Sequence, residues 1–316
     1  MAMLDASPTA APPPPPPSLP APGSFVSGTG VALAGVVPAP AALSAKLAAL
    51  AAGGRQSLQL IMDFDRTIST HFYSPGVKGA SCHGVVESRW TGDARAKALE
   101  YNEYYYPIEV GALPVAEKVP FMREWYERIN ALILASGVSR SEIADLAASA
   151  PLRLRAGATE LLDWADAHGV PVTVFSAGIA DVAEAVLRAK WRPGGLPPGV
   201  RVVSNRMAFA SDDPAAAVAG FGPVLHMFNK TFSVLAEFDP AWAAAVAGRR
   251  HVVLVGDGLG DAAMADGLDA AVVLRAGLVN VDVDRNAHLY APLFDVLITG
   301  DGPLDDVLAV VRSLPE

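Results

Sequence analysis

Six short runs rich in apolar residues set the frame for this chain: Leu58–Phe64, Val170–Phe175, Arg201–Val203, His251–Val255, Ala270–Leu274 and Phe294–Ile298. Runs of this length suit buried strands. Helical stretches lie between several of them, at Thr159–His168 and Asp181–Lys190, and Leu304–Leu314 closes the chain. Ahead of the first run, Ala41–Ala52 reads as a helix stopped by Gly53 and Gly54. Strands that alternate with helices cover both faces of a sheet, so the expected fold class is α/β, a doubly wound parallel sheet. The long interval between the first two runs reads differently. Asp93–Tyr105, Glu117–Ala135 and Ser139–Ala148 are helix-like, and every tyrosine except Tyr290 falls there. We therefore expect residues 72–152 to form an inserted, mainly helical cap on a core made of residues 41–71 and 153–316.

Residues 1–40 hold eleven prolines, six of them consecutive from Pro12 to Pro17, and a single charge, Asp5. Such a segment buries too little to offset its ordering entropy, and it is expected to be a disordered tail with polyproline II character. An SH3- or WW-type domain is the partner that a polyproline run fits. The first basic residue is Lys46, which fits neither a secretory signal nor an Arg-rich transit peptide, so a cytoplasmic location is expected. No apolar run approaches the roughly 18 residues of a membrane span. The chain carries 24 Lys and Arg against 33 Asp and Glu, a net charge of −9, which argues against a nucleic-acid polymer as partner. A small anionic substrate remains compatible, provided that a cation waits locally. The one cysteine, Cys82, excludes an intramolecular disulfide and is expected to be a buried, idle thiol.

In an open α/β sheet, ligands bind at the carboxyl ends of the strands. The first run ends in Asp63-Phe64-Asp65-Arg66-Thr67, the second in Ser176-Ala177-Gly178, the fourth in Gly256-Asp257-Gly258-Leu259-Gly260-Asp261. Asp63 and Asp65, two residues apart, reach one pocket if the chain turns there. Two adjacent carboxylates stay ionised only if a cation joins them or one keeps a proton. Mg2+, a hard cation bound by one or two carboxylates, waters and phosphate oxygens, suits this set, with Asp257 and Asp261 completing its shell. The spacing supports Asp63 as nucleophile and Asp65 as general acid, then base. Phosphoryl transfer also needs positive charge, which Lys230 supplies in Phe228-Asn229-Lys230-Thr231. Ser176, with the amides of Ala177 and Gly178 at a helix start, would hold phosphate. Each feature has an ordinary alternative: a surface Asp-x-Asp turn, a helix N-cap, a solvated lysine, an acidic helix start. Together and in this order they point to phosphoryl chemistry.

The order DFDRT, FSAG, a lysine, then GDGLGD resembles the haloacid dehalogenase superfamily of phosphohydrolases, whose phosphatases carry the second aspartate. The likeness is closer to the type III cytosolic, or pyrimidine, 5′-nucleotidases. It rests on IMDFDRTIS, the Cys82–His83 pair, YYYPIEV (Tyr104–Val110), KVPFMREWY (Lys118–Tyr126), VFSAGIADV (Val174–Val182), HMFNK (His226–Lys230) and GDGLGDAAMADG (Gly256–Gly267). The resemblance implies a Rossmannoid core and a Mg2+-dependent 5′-nucleotidase acting on UMP or CMP, or on 7-methylguanosine monophosphate, through an aspartyl-phosphate. It also implies Asp63, the Asp65 carbonyl, Asp257 and Asp261 at the metal, Ser176 and Lys230 on phosphate, and Glu109 facing the nucleoside. Leu259 inside the GDGLGD block, and Thr231 after Lys230, depart from the family pattern.

The cap should choose the substrate. A nucleobase offers a π-face and hydrogen-bonding edges, so Trp125 and Tyr126 are expected against it, with Glu109 as acceptor. His71 and His83 are expected to be structural or on the surface. Phosphoserine or a sugar phosphate would keep the chemistry and change the substrate, and a non-catalytic nucleotide or phosphate binder is the alternative from another class.

Overall fold

The computed structural model describes residues 18–23, 25–28 and 30–316. An antiparallel ribbon, β1 (Phe25–Val26) with β2 (Ala32–Leu33), precedes helix α1 (Pro40–Gly53) and strand β3 (Leu58–Met62). A second ribbon, β4 (Phe72–Ser74) with β5 (Val77–Lys78), leads into α2 (Cys82–Glu87), α3 (Gly92–Val110), α4 (Val115–Ser136), α5 (Arg140–Ser149) and α6 (Ala158–Ala167). Then come β6 (Val172–Ile179), α7 (Ala180–Lys190), β7 (Val200–Asn205) and a ribbon of β8 (Met207–Phe209) and β9 (Val218–Phe221). The chain finishes with α8 (Phe232–Phe238), α9 (Pro240–Val246), β10 (His251–Gly256), β11 (Val272–Val279), α10 (Val283–Tyr290), β12 (Val296–Thr299) and α11 (Asp305–Arg312).

The main sheet is the expected parallel one, in the order β12-β11-β10-β3-β6-β7. Side chains alternate across it. Leu58, Leu60 and Met62 of β3 join Val253 and Val255 of β10 in one apolar cluster, while Ile61, Val252 and Leu254 join the cluster on the other face. Both faces are dry, which is why these strands read as continuous apolar runs. From β3 the chain winds first toward β6 and β7, then crosses to β10, β11 and β12. The strand order therefore reverses between β3 and β10, and a crevice opens at their carboxyl ends.

The elements outside the sheet depart from expectation in three places. Helix α3 runs past Tyr105 through Pro107 to Val110, although Pro107 removes one backbone donor from the helix. This extension carries Glu109 into the last turn. The interval between β3 and β6 also packs partly on the core, with α2 and α5 against α7, whereas α3 packs on α4.

The third departure is a correction. Of the tail expected over residues 1–40, the described residues from Phe25 onward are folded. Phe25, Val31, Leu33 and Val37 are buried in the core, and Val36 pairs with Leu297 at the sheet edge. The buried carboxylate of Asp306, in the first turn of α11, accepts the Ala34 and Gly35 amides at 2.6 and 2.7 Å. Proline content masked a segment whose apolar residues cover core surface. The run Pro12–Pro17, with the SH3- or WW-type contact proposed for it, lies outside the described residues.

Candidate active site

Asp63 continues β3 by donating its amide to Val255 at 2.9 Å, and its side chain is buried. The chain then turns sharply. Arg66 has φ 61° and ψ 7°, a left-handed conformation uncommon for a side-chain-bearing residue. Its neighbours hold it there: the Ser69 hydroxyl accepts the Arg66 amide at 2.8 Å, and the Arg66 carbonyl accepts from Arg155 Nη2 at 2.6 Å and Asn280 Nδ2 at 3.0 Å. Arg155 is wholly buried. It also donates to the carbonyls of Thr67 (2.7 Å) and Gly302 (2.8 Å), to Asn280 Oδ1 (3.0 Å), and pairs with Asp301 at 3.0 Å. Asp301 in turn accepts the amides of His71 and Phe72. Asp63 and Asp65 thus sit on a main chain braced from beneath.

The turn brings both carboxylates to the crevice. Asp65 Oδ1 accepts the Cys82 amide, at the first turn of α2, at 2.9 Å. Burial pushes the Asp65 carboxyl up despite that bond. Gly178 permits the approach of the β6 end: a Cβ there would stand 3.0 Å from Asp65 Oδ2 and 2.9 Å from the Cys82 Cβ. Cys82 is the buried free thiol expected.

From the other side, β10 delivers Asp257 and Asp261. Gly256 lets the strand end lie against Asp261, whose side chain would collide with any Cβ at that position. Asp261 Oδ2 accepts the Gly258 amide at 2.8 Å. Carboxylate oxygens of Asp63, Asp257 and Asp261 lie within 4.8 Å of one another. Lys230 Nζ, buried, donates to Asp63 Oδ1 and to Asp261 Oδ1, each at 2.6 Å. Burial alone would lower that ammonium, but Asp261 and Asp63 hold it above its ordinary range. Burial pushes Asp63 up to about 7, with Lys230 pulling against it, and pushes Asp257 well above the usual carboxylate range, aided by Asp63 and Asp261. One ammonium is too little charge for three crowded carboxylates. The donor set therefore fits a further hard cation.

Ser176 lies at the same edge, buried, but the strand continues to Ile179 and the helix starts only at Ala180. The Gly178 amide turns back to Ser176 Oγ at 3.0 Å, so the helix start expected at Ala177 and Gly178 is absent. Asn205 steadies this loop instead, donating to the carbonyls of Ala177, Gly178 and Leu225 at 2.8–2.9 Å. Thr231, which departs from the expected pattern, caps α8 through its side chain.

Above the carboxylates lies a cavity of about 460 Å³ between α2, α3, α4 and the β3 turn. Glu109, Trp125 and Tyr126 line it, as do Arg66, His83 and Trp90. Trp125 stacks on the buried Tyr105, centroids 5.7 Å apart, and His83 meets Tyr126 edge-on at 5.6 Å. Burial lowers His83 to about 4, so its imidazole is neutral near pH 7. Lys118 ties down the end of α3 by donating to the carbonyls of Glu109 (2.8 Å) and Gly111 (2.7 Å). Burial raises the Glu109 carboxyl, with Arg66 and Lys118 opposing. Sequence reasoning missed Arg155, Asn205 and Asn280, whose partners are far in sequence. It also placed His83, a cavity residue, among the structural or surface histidines.

Residues 66–315 match the family model described as pyrimidine 5′-nucleotidase (UMPH-1). A 7-methylguanosine phosphate-specific 5′-nucleotidase of Gallus gallus is 32% identical over 265 residues, 83% of this chain and 89% of the relative. The crystal structure of cytosolic 5′-nucleotidase IIIB bound to cytidine superposes with a TM-score of 0.78 at 29% identity, covering 88% of this chain and 92% of that one. A haloacid dehalogenase family hydrolase of Salmonella enterica shares the fold, with a TM-score of 0.50 at 14% identity, over 81% of this chain and 72% of that one.

Proposed function

The chain belongs to the pyrimidine 5′-nucleotidase family and is a phosphoric monoester hydrolase, and from that premise we propose that it cleaves nucleoside 5′-monophosphates in the cytoplasm with Mg2+ as cofactor. The observation that carries this reading is the cluster of Asp63, Asp257 and Asp261, with Lys230 bridging Asp63 and Asp261, beside an aromatic cavity with a carboxylate in its wall.

In this reading Asp63 Oδ attacks phosphorus, the bond from phosphorus to O5′ breaks, and Asp65 gives its proton to the leaving oxygen. The raised Asp65 carboxyl suits that first role. Asp65 then takes a proton from water, the resulting hydroxide attacks the aspartyl-phosphate, and phosphate leaves with Asp63 regenerated. Lys230 pulls Asp63 toward its ionised form and aims it. Ser176 holds phosphate through its hydroxyl hydrogen, with the Ala177 amide beside it, while the Gly178 amide orients the Ser176 oxygen. Mg2+ held by Asp63, Asp257, Asp261 and the Asp65 carbonyl would offset the charge of these carboxylates and of the phosphate. Residues 72–152 serve as the cap that selects substrate over the core of 41–71 and 153–316.

Trp125 and Tyr126 supply aromatic surface for the base and Glu109 its acceptor. Pyrimidine monophosphates agree with the family and with the cytidine-bound relative, and 7-methylguanosine monophosphate agrees with the Gallus relative. A cationic methylated base favours aromatic walls beside a carboxylate. The test is phosphate release from UMP, CMP, 7-methylguanosine monophosphate, AMP, phosphoserine and a sugar phosphate, with Mg2+ and with EDTA. We expect Mg2+-dependent release from nucleotides alone, abolished in Asp63→Asn. Release from phosphoserine or sugar phosphate only would overturn the reading of the cap, and an active Asp63→Asn would overturn the nucleophile.

A further inference from the structure

Arg66 presents an unusual combination. Its main chain is fixed through both amide and carbonyl in a left-handed conformation, by Ser69, Arg155 and Asn280. Its side chain is exposed, lines the cavity, and makes no hydrogen bond or ion pair among the described residues. A conformation this constrained persists only where surroundings over-determine it, and such positions concentrate at functional sites. Here the constraint aims one long cation from between Asp65 and Thr67 into the space under Glu109.

The charge balance shows what that cation faces. Asp63, Asp65, Asp257 and Asp261 gather at the crevice, and the buried Lys230 is already shared by Asp63 and Asp261. The Arg155 guanidinium is spent on carbonyls, Asn280 and Asp301. A phosphate dianion arriving over Asp63, even with a divalent cation present, would meet a surplus of negative charge. Arg95, the other arginine of the cavity wall, acts on Glu87. Among the described residues that line the cavity, Arg66 is the cation left to meet the phosphate. Arg66 and Glu109 stand in the wall of the same cavity.

We propose that Arg66 is a second phosphate-holding residue, which binds the phosphoryl group from the cap side while Lys230 remains paired with the carboxylates beneath. The proposal rests on the nucleotidase reading for the identity of the substrate, but not for the binding of phosphate itself. A guanidinium offers paired donors that match phosphate oxygens, and an ammonium in its place still supplies a point charge.

The test compares wild type, Arg66→Met and Arg66→Lys. Inorganic phosphate is titrated by calorimetry in the presence of Mg2+, and KM and kcat are measured for UMP and for p-nitrophenyl phosphate, which has no ribose or base. Phosphate affinity is expected to fall about tenfold in Arg66→Met and to recover most of the way in Arg66→Lys, the magnitude of one charge-assisted hydrogen bond. KM should rise by a similar factor for both esters. Unchanged phosphate affinity overturns the proposal, as does a KM effect confined to UMP, which would assign Arg66 to the nucleoside. If wild type hydrolyses no nucleotide while phosphate affinity still depends on Arg66, the nucleotidase reading falls and this proposal stands.

Discussion

Replacing Arg155 tests whether catalysis depends on the brace beneath the nucleophile turn. The guanidinium reaches Thr67, Gly302, Arg66, Asn280 and Asp301 at 2.6–3.0 Å, groups that belong to three separate segments. In Arg155→Lys the charge survives for Asp301, but a point-like ammonium with three donors cannot span the acceptors of a planar fork. Two to three hydrogen bonds are lost at about 1 to 1.5 kcal/mol each, a loss of about 2–4 kcal/mol in stability. For a chain of 316 residues that lowers the thermal midpoint by about 3–6 °C. The turn then relaxes under Asp63 and Asp65, and a small misplacement of reacting groups costs on the order of a hundredfold in rate. In Arg155→Met the half-buried Asp301 also loses its ion-pair partner and keeps only the His71 and Phe72 amides, so the stability loss should exceed that of Arg155→Lys. The assays are urea denaturation followed by circular dichroism, and kcat/KM for the preferred nucleotide. Arg155→Lys with wild-type stability and wild-type kcat/KM would refute the reasoning. A loss of stability with unchanged turnover at a temperature where the variant is folded would show that the brace serves the fold alone.

Two further outcomes follow from the geometry. Asp306→Asn keeps one acceptor oxygen for two amides, Ala34 and Gly35, so stability should drop by about 1–3 kcal/mol with kcat unchanged, read by urea denaturation and turnover on one sample. Gly178→Ala places a Cβ 3.0 Å from Asp65 Oδ2 and 2.9 Å from Cys82, so kcat should fall at least tenfold with little change in the thermal midpoint, and wild-type turnover would show that Asp65 tolerates displacement.

Much of the sheet was legible because its strands are buried on both faces and carry unbroken apolar runs, as Leu58–Met62 does. The ends of those strands were legible too: aspartates and glycines at Asp63–Thr67 and Gly256–Asp261 have no role in a dry core. Boundaries were less so. The strand expected at Ala270–Leu274 runs Val272–Val279, since strand extent follows pairing with a neighbour, here Gly277 with Leu297. The expected tail failed for the same reason: Phe25 and Leu33 look unremarkable among prolines, and only the core surface that they cover makes them buried.

The sequence by itself determined the alternation of strands and helices, the carboxylates at the strand ends, and the lysine needed to oppose them, because these are properties of local pattern and residue type. Tertiary structure alone decided that Lys230 bridges Asp63 and Asp261, that Arg155, Asn205 and Asn280 hold the turns, and that the Arg66 side chain, unpaired among the described residues, lines the cavity. Those facts depend on which segments meet after the chain has crossed the sheet, and no spacing along one strand encodes partners that lie between 27 and 214 residues away.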